Sequence, residues 1–204
     1  CLTLVTGLFA NNRLHQLAEA DTFLYEKATI PMEDLLKMTE GFQRIRMNLL
    51  DFVTTEVPAM RERSRKLIQE LRTNIDTCSS RVEPALLTPH EQEIFTTYKT
   101  RRQEFRVATD EIIALADAGK RSEAYSYLSV RGREIATAYQ QAIHDLVAAK
   151  VAQGKDLAEG NTILAITASK LLYAVMGFSV LLSIVLGILL TRNIMRQLGE
   201  DPGY

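Results

Sequence analysis

From Leu171 to Leu190 the sequence reads LLYAVMGFSVLLSIVLGILL, with no charged residue. About 20 residues at 1.5 Å each cover the ~30 Å hydrocarbon core of a bilayer, so this run predicts a transmembrane helix over 170–191. The competing reading, a buried helix of a soluble core, needs a larger protein to cover it on every side. Lys170 stands at one end of the run, Arg192 and Arg196 at the other. The excess of positive charge after Leu190 places the C-terminal side in the cytoplasm.

The opening stretch, CLTLVTGLFANN, carries no charge before Arg13. Its ~12 residues reach only ~18 Å and fall short of a bilayer. Residues 1–11 therefore read as the outer end of a first membrane helix, with a signal-peptide core or a lipidated Cys1 as the alternatives. The last residues, Gly199 to Tyr204, read as the middle of a longer protein. Between the apolar ends, 12–169 has ordinary soluble composition. With both ends in a membrane it is looped out opposite the C-terminus, which in the inner membrane of a Gram-negative cell is the periplasm.

Composition removes several classes. Lys and Arg total 24 against 25 for Asp and Glu, which gives no electrostatic reason for a nucleic-acid partner. With 47% hydrophobic and 24% charged residues the chain can bury a core. Two cysteines, Cys1 and Cys78, cannot build a disulfide framework.

Prolines are sparse and strand signals are missing, so 12–169 is predicted to be all-helical. Leu35, Met38, Phe42, Ile45, Leu49 and Phe52 step by 3, 4, 3, 4 and 3, which keeps one apolar stripe facing neighbouring helices. This first helix ends near Pro58, and Pro31 either kinks it or sits near its start. A second helix follows Pro58 with Leu67, Leu71, Ile75, Cys78 and Val82 on its stripe. Cys78 on that stripe reads as a small buried hydrophobe. Thr88-Pro89-His90-Glu91 has the form of a capping box and starts helix three, which stops at Gly119. Its apolar positions are Ile94, Phe95, Tyr98, Phe105, Ile112 and Leu115. Helix four starts at Ser122 and Glu123, carries Leu128, Ile135, Tyr139, Ile143 and Leu146, and meets no proline before the membrane.

Helices one and four have ~40 to 50 residues against ~28 to 30 for the middle pair, which at 1.5 Å per residue makes the middle pair ~20 to 30 Å shorter. The first and third joints, near Thr55 to Pro58 and Ala118 to Arg121, then lie together at the end away from the membrane. The expected architecture is an all-α, up-down-up-down antiparallel four-helix bundle whose fourth helix continues into the transmembrane helix.

Phe42-Gln43-Arg44-Ile45-Arg46-Met47-Asn48-Leu49, the opening of helix four at Ala118-Gly119-Lys120-Arg121-Ser122-Glu123-Ala124, and Arg192-Asn193-Ile194 to Arg196-Gln197-Leu198-Gly199-Glu200-Asp201-Pro202 follow one another in a distinctive order. In this order the chain resembles the four-helix-bundle sensor domain of bacterial methyl-accepting chemotaxis receptors. The last run resembles the start of a HAMP linker over 192–204, although Asn193 stands where that linker more usually has a nearby proline. The resemblance implies a homodimer whose periplasmic bundles bind small molecules, such as amino acids, dicarboxylates or aromatic acids, near the distal dimer interface. It also implies a small shift of the last helix, relayed through the linker to a cytoplasmic kinase and its adaptor.

No catalytic constellation is evident. His15, His90 and His144 are far apart in sequence and belong to no metal-binding or haem-attachment motif, so neither cofactor nor metal is expected and the chain does not read as an enzyme. Binding an anion requires less, because a guanidinium matches a carboxylate with two parallel hydrogen bonds. With Phe42 at heptad position a, Arg46 falls at e, beside the core stripe, and Arg44 at c, facing solvent. Arg61 follows the first joint, Arg131 and Arg133 lie a few turns into helix four at similar height, and Tyr125 and Tyr127 line the same space. These seven residues are the candidate ligand site for an organic acid or amino acid. The bland alternative pairs such arginines with Glu56, Glu62, Glu123 and Glu134 on a solvated surface. Two alternatives to a chemoreceptor stay open: the sensor part of a membrane histidine kinase or cyclase, and a periplasmic protein-docking bundle with no small-molecule ligand.

Overall fold

The computed structural model describes residues 2–197, which are helical apart from short joints. Cys1 and the part of the HAMP-like run from Leu198 to Tyr204 lie outside the described residues. Two compact units divide the chain: Phe23–Leu157, and a second made of Cys1–Thr22 with Ala158–Tyr204.

The first unit, Phe23–Leu157, holds the four-helix bundle, and its first and fourth helices continue along the chain into the second unit. Its first helix runs from α1 (Leu2–Leu24) through one π-helical turn (Tyr25–Thr29) into α2 (Ile30–Thr54). Pro31 explains the turn, since it lacks an N–H and its ring collides with the carbonyl four residues back. Widening the preceding turn, with the Ile30 N–H on the Tyr25 carbonyl, lets the helix pass through the proline. The second helix is α3 (Pro58–Val82), and a 3-10 turn, Glu83–Ala85, leads to the second joint. The third is α4 (Pro89–Asp117), and the fourth runs through α5 (Arg121–Tyr127), a second π-helical turn (Leu128–Gly132) and α6 (Arg133–Gln197). This continuous fourth helix is long and apolar enough to cross a membrane, and its most apolar stretch is not covered by protein.

The boundaries follow local chemistry. Pro58 and Pro89 each open a helix at its first position, where no N–H is needed. The Thr88 hydroxyl accepts the Glu91 N–H, and the Glu91 carboxylate accepts the Thr88 N–H in return, completing the capping box. Gly119, at φ 79°, closes α4 in the left-handed region.

The α2 stripe from Leu35 to Phe52 is fully buried. On α3 the buried stripe is Ser64, Ile68, Leu71, Ile75, Cys78 and Val82, with Ser79 buried beside it, and Leu67 is only half-buried. The expected set steps from 67 to 71, whereas the observed one keeps alternating 4 and 3 back to Ser64, which is the spacing a bundle seam requires. Phe42, Phe95, Tyr98, Phe105 and Tyr139 form one aromatic cluster with ring centroids 5.0 to 5.7 Å apart. Burial pushes the Tyr98 and Tyr139 phenols upward, and the two hydroxyls lie 3.4 Å apart.

Ionic contacts pin each end. Arg61 donates to the Ala116 carbonyl at 3.0 Å, and Arg65 reaches Asp117 at 2.8 Å, with both guanidinium groups stacked over Phe52. The first and third joints therefore share one end of the bundle. At the opposite end the ammonium of Lys150, with no exposed surface, donates to the Ala85 carbonyl and to Gln153, and lies 3.1 Å from Glu91. In the last turn of α3, near that same end, Arg81 makes a two-pronged contact with buried Asp34 at 2.5 and 3.0 Å, tying α3 to α2.

Candidate functional site

The fourth helix departs from ideal winding at Leu128–Gly132. Its Val130 carbonyl accepts the Arg133 N–H, and the π turn carries an extra residue that re-aims the side chains on either side of it. Gly132 makes this possible, since a Cβ there would meet the Tyr127 carbonyl and the Ile112 side chain, each at 3.3 Å. Beside the turn opens a groove of about 380 Å³, bounded by α2, α4, α5 and the start of α6.

The groove is built in two tiers. Leu49, Phe105, Ala108 and Ile112 give it an apolar floor. The buried Thr109 hydroxyl also lines it and donates back to the Phe105 carbonyl at 2.7 Å. Arg46, Arg133, Tyr125, Gln43 and Ser129 supply polar groups above. Arg46 is exposed, donates a hydrogen bond to the Gln43 side-chain oxygen at 3.0 Å, and lies over the Phe42 ring at 5.6 Å. Neither Arg46 nor Arg133 forms an ion pair with a carboxylate among the described residues. Two uncompensated guanidinium groups over an apolar floor attract a carboxylate attached to a hydrocarbon or aromatic body.

The seven residues singled out in the sequence separate in space. Arg46, Tyr125 and Arg133 share this groove. Tyr127 and Arg131 line a different depression with Val107 and Ile135, and Arg131 pairs with Glu134 at 3.2 Å. Arg44 pairs with Glu40 at 3.5 Å and opens onto a third hollow with Lys37 and Arg81. Arg61 is engaged at the joint by the Ala116 carbonyl and Asp117. Of the carboxylates weighed as surface partners, Glu62 contacts Arg65, Glu123 contacts Lys120, and Glu56 lies 3.9 Å from Arg121. Sequence reasoning missed Thr109, Phe105 as groove floor, Ser129 and the π turn; Gly132 inside an otherwise helical run was the available signal. Among the described residues no group of three or more His, Cys, Asp or Glu side chains is placed to hold a metal ion.

The fold is an all-α four-helix bundle. The family model for the four helix bundle sensory module for signal transduction matches residues 1–165, and the chain belongs to this family, the sensory modules of methyl-accepting chemotaxis proteins. A search of curated proteins finds no match. Sensing within signal transduction is thus the role of the chain at the level of its class.

Proposed function

We propose that the chain is the sensory part of a transmembrane chemoreceptor that binds a small organic acid or amino acid in the groove between Arg46 and Arg133. The observation that carries this reading is the pair of guanidinium groups left without carboxylate partners above an apolar floor. A bound carboxylate bridges α2 to the start of α6, just after the π turn. A ligand that prefers one arrangement of the first and fourth helices by about 1 to 3 kcal/mol then biases the fourth helix, whose displacement is the signal. In this reading 12–169 is periplasmic, 170–191 crosses the inner membrane, 1–11 ends a first span, and 192–204 opens a HAMP linker toward a cytoplasmic kinase.

The same reading includes a homodimer. Leu36, Met47 and Leu50 lie exposed on the outer face of α2, at spacings of 11 and 3 that keep them on one side of the helix. A second copy of this chain covers such a stripe, and Met47 and Leu50 also line the groove, so dimerisation and ligand binding share a boundary.

Thermal unfolding of the whole chain in nanodiscs, with benzoate and a panel of dicarboxylates and amino acids, tests the site. A carboxylate at a hundredfold its dissociation constant stabilises by about 2.7 kcal/mol, a clear rise in midpoint. Arg46→Ala and Arg133→Ala each abolish the rise, and Arg131→Ala leaves it in place. An unchanged midpoint across the whole panel sinks the small-acid reading in favour of a protein ligand.

A further inference from the structure

At the bundle end that carries the second joint, a separate groove of about 750 Å³ lies between the start of α4 and α6. Its walls include Leu87, Ile94 and Ala152, and both Asp145 and Asp156 line it. The two aspartates are eleven positions apart, about three helical turns and ~16 Å along one face of α6. Alanines fill the turns between them, so α6 offers an apolar trough with a carboxylate toward each end.

Charge sets this groove apart from the Arg46 groove. Lys and Arg are missing from its lining, and His90 is its sole base. Lys150 lies behind it with no exposed surface, already engaged by Ala85, Gln153 and Glu91. Asp145 accepts a hydrogen bond from Gln141 at 2.8 Å, and neither aspartate is ion-paired with Lys or Arg among the described residues. Glu91 also lines the groove, but its charge is answered by Lys150 at 3.1 Å and its Oε2 accepts from Leu87, Thr88 and Gln153, so the carboxylates open to a ligand are Asp145 and Asp156.

We propose that this groove binds small organic cations, with the hydrocarbon body against the alanine trough and the ammonium at Asp145 or Asp156. The apolar walls supply most of the affinity, because an ion pair at an exposed rim contributes little by itself. The carboxylates supply selectivity, favouring a cation over its neutral isostere and excluding anions. The bundle then has two sites of opposite charge preference, one at each end.

The test is isothermal titration of the whole chain in phosphatidylcholine nanodiscs with hexylamine, which is protonated at neutral pH, using empty nanodiscs as baseline. Saturable binding at one site is expected, about tenfold or more weaker for the neutral isostere 1-hexanol and for the double variant Asp145→Asn/Asp156→Asn. Ala152→Trp, which fills the trough, abolishes it while helicity and the benzoate response persist. No saturable hexylamine binding, equal binding by the double variant, or binding retained in Ala152→Trp each overturns the proposal. The benzoate response at Arg46 and Arg133 is read separately, so the two sites stand or fall apart.

Discussion

The ammonium of Lys150 is buried among Glu91, Gln153 and the Ala85 carbonyl. Burial lowers its affinity for a proton, and the Glu91 partner opposes that shift. For Glu91 burial pushes the carboxyl up, but Lys150 and the backbone N–H groups of Thr88 and Leu87 together outweigh it and hold the carboxyl below its ordinary range. Removing one member of a buried pair leaves the other charge uncompensated, which costs about 3–5 kcal/mol. Lys150→Ala is expected to lower the denaturation midpoint by that measure, and Glu91→Gln/Lys150→Met to recover about half of it. Asp34 is also held below the usual carboxylate range, chiefly by its hydrogen bonds from Arg81. Both carboxyls bind protons more weakly folded than unfolded. Their stabilisation is therefore complete above the unfolded values near pH ~4 and is lost as pH falls through the folded ones. Acid titration of the unfolding midpoint should show a steep decline below pH ~4, reduced in Asp34→Asn. At this scale the sequence made Arg46 legible through its heptad position. The engagement of Arg61 by Ala116 and Asp117 was not legible, because its partners lie more than fifty residues away.

Among the elements, four helices, three joints, the capping box at Thr88 and the left-handed end at Gly119 follow from local chemistry and were all readable. The π turns were not. Each depends on what the wound backbone meets: Pro31 in the first helix, and the packing of Ile112 against Gly132 in the fourth. Gly132→Ala forces a Cβ to within 3.3 Å of the Tyr127 carbonyl, a backbone atom that cannot move aside without rewinding the turn. Crowding of this kind costs about 1–3 kcal/mol, against about 1 kcal/mol gained in helix propensity. The expected result is a net loss of stability together with a weakened benzoate response, read from a denaturation midpoint and a titration on the same variant. A stabilised protein with unchanged benzoate binding would show that the turn does not shape the groove.

For the whole molecule, the charge-free run from Leu171 to Leu190 and the family match over residues 1–165 point to one design, a helical sensory bundle with an apolar helix attached. The bundle carries one groove lined by guanidinium groups without carboxylate partners and another lined by carboxylates, the two places proposed above for ligands of opposite charge. Both are bordered by the fourth helix, the element that leaves the bundle.

Period and length are properties of the chain itself. The heptads of α2, the 20-residue apolar run and the proline and glycine punctuation therefore determined the fold class and the apolar helix from sequence alone. Which arginines stay unpaired is different, because it depends on the distance between side chains from different helices. Only packing places Asp117 against Arg61 and Arg65, and nothing anionic against Arg46 and Arg133 among the described residues, whereas Arg131 and Glu134, three positions apart on one helix, pair through local spacing. The burial of Lys150 against Glu91 was likewise decided by tertiary structure, since a lysine in a helical sequence carries no mark of the carbonyl and carboxylate that will enclose it.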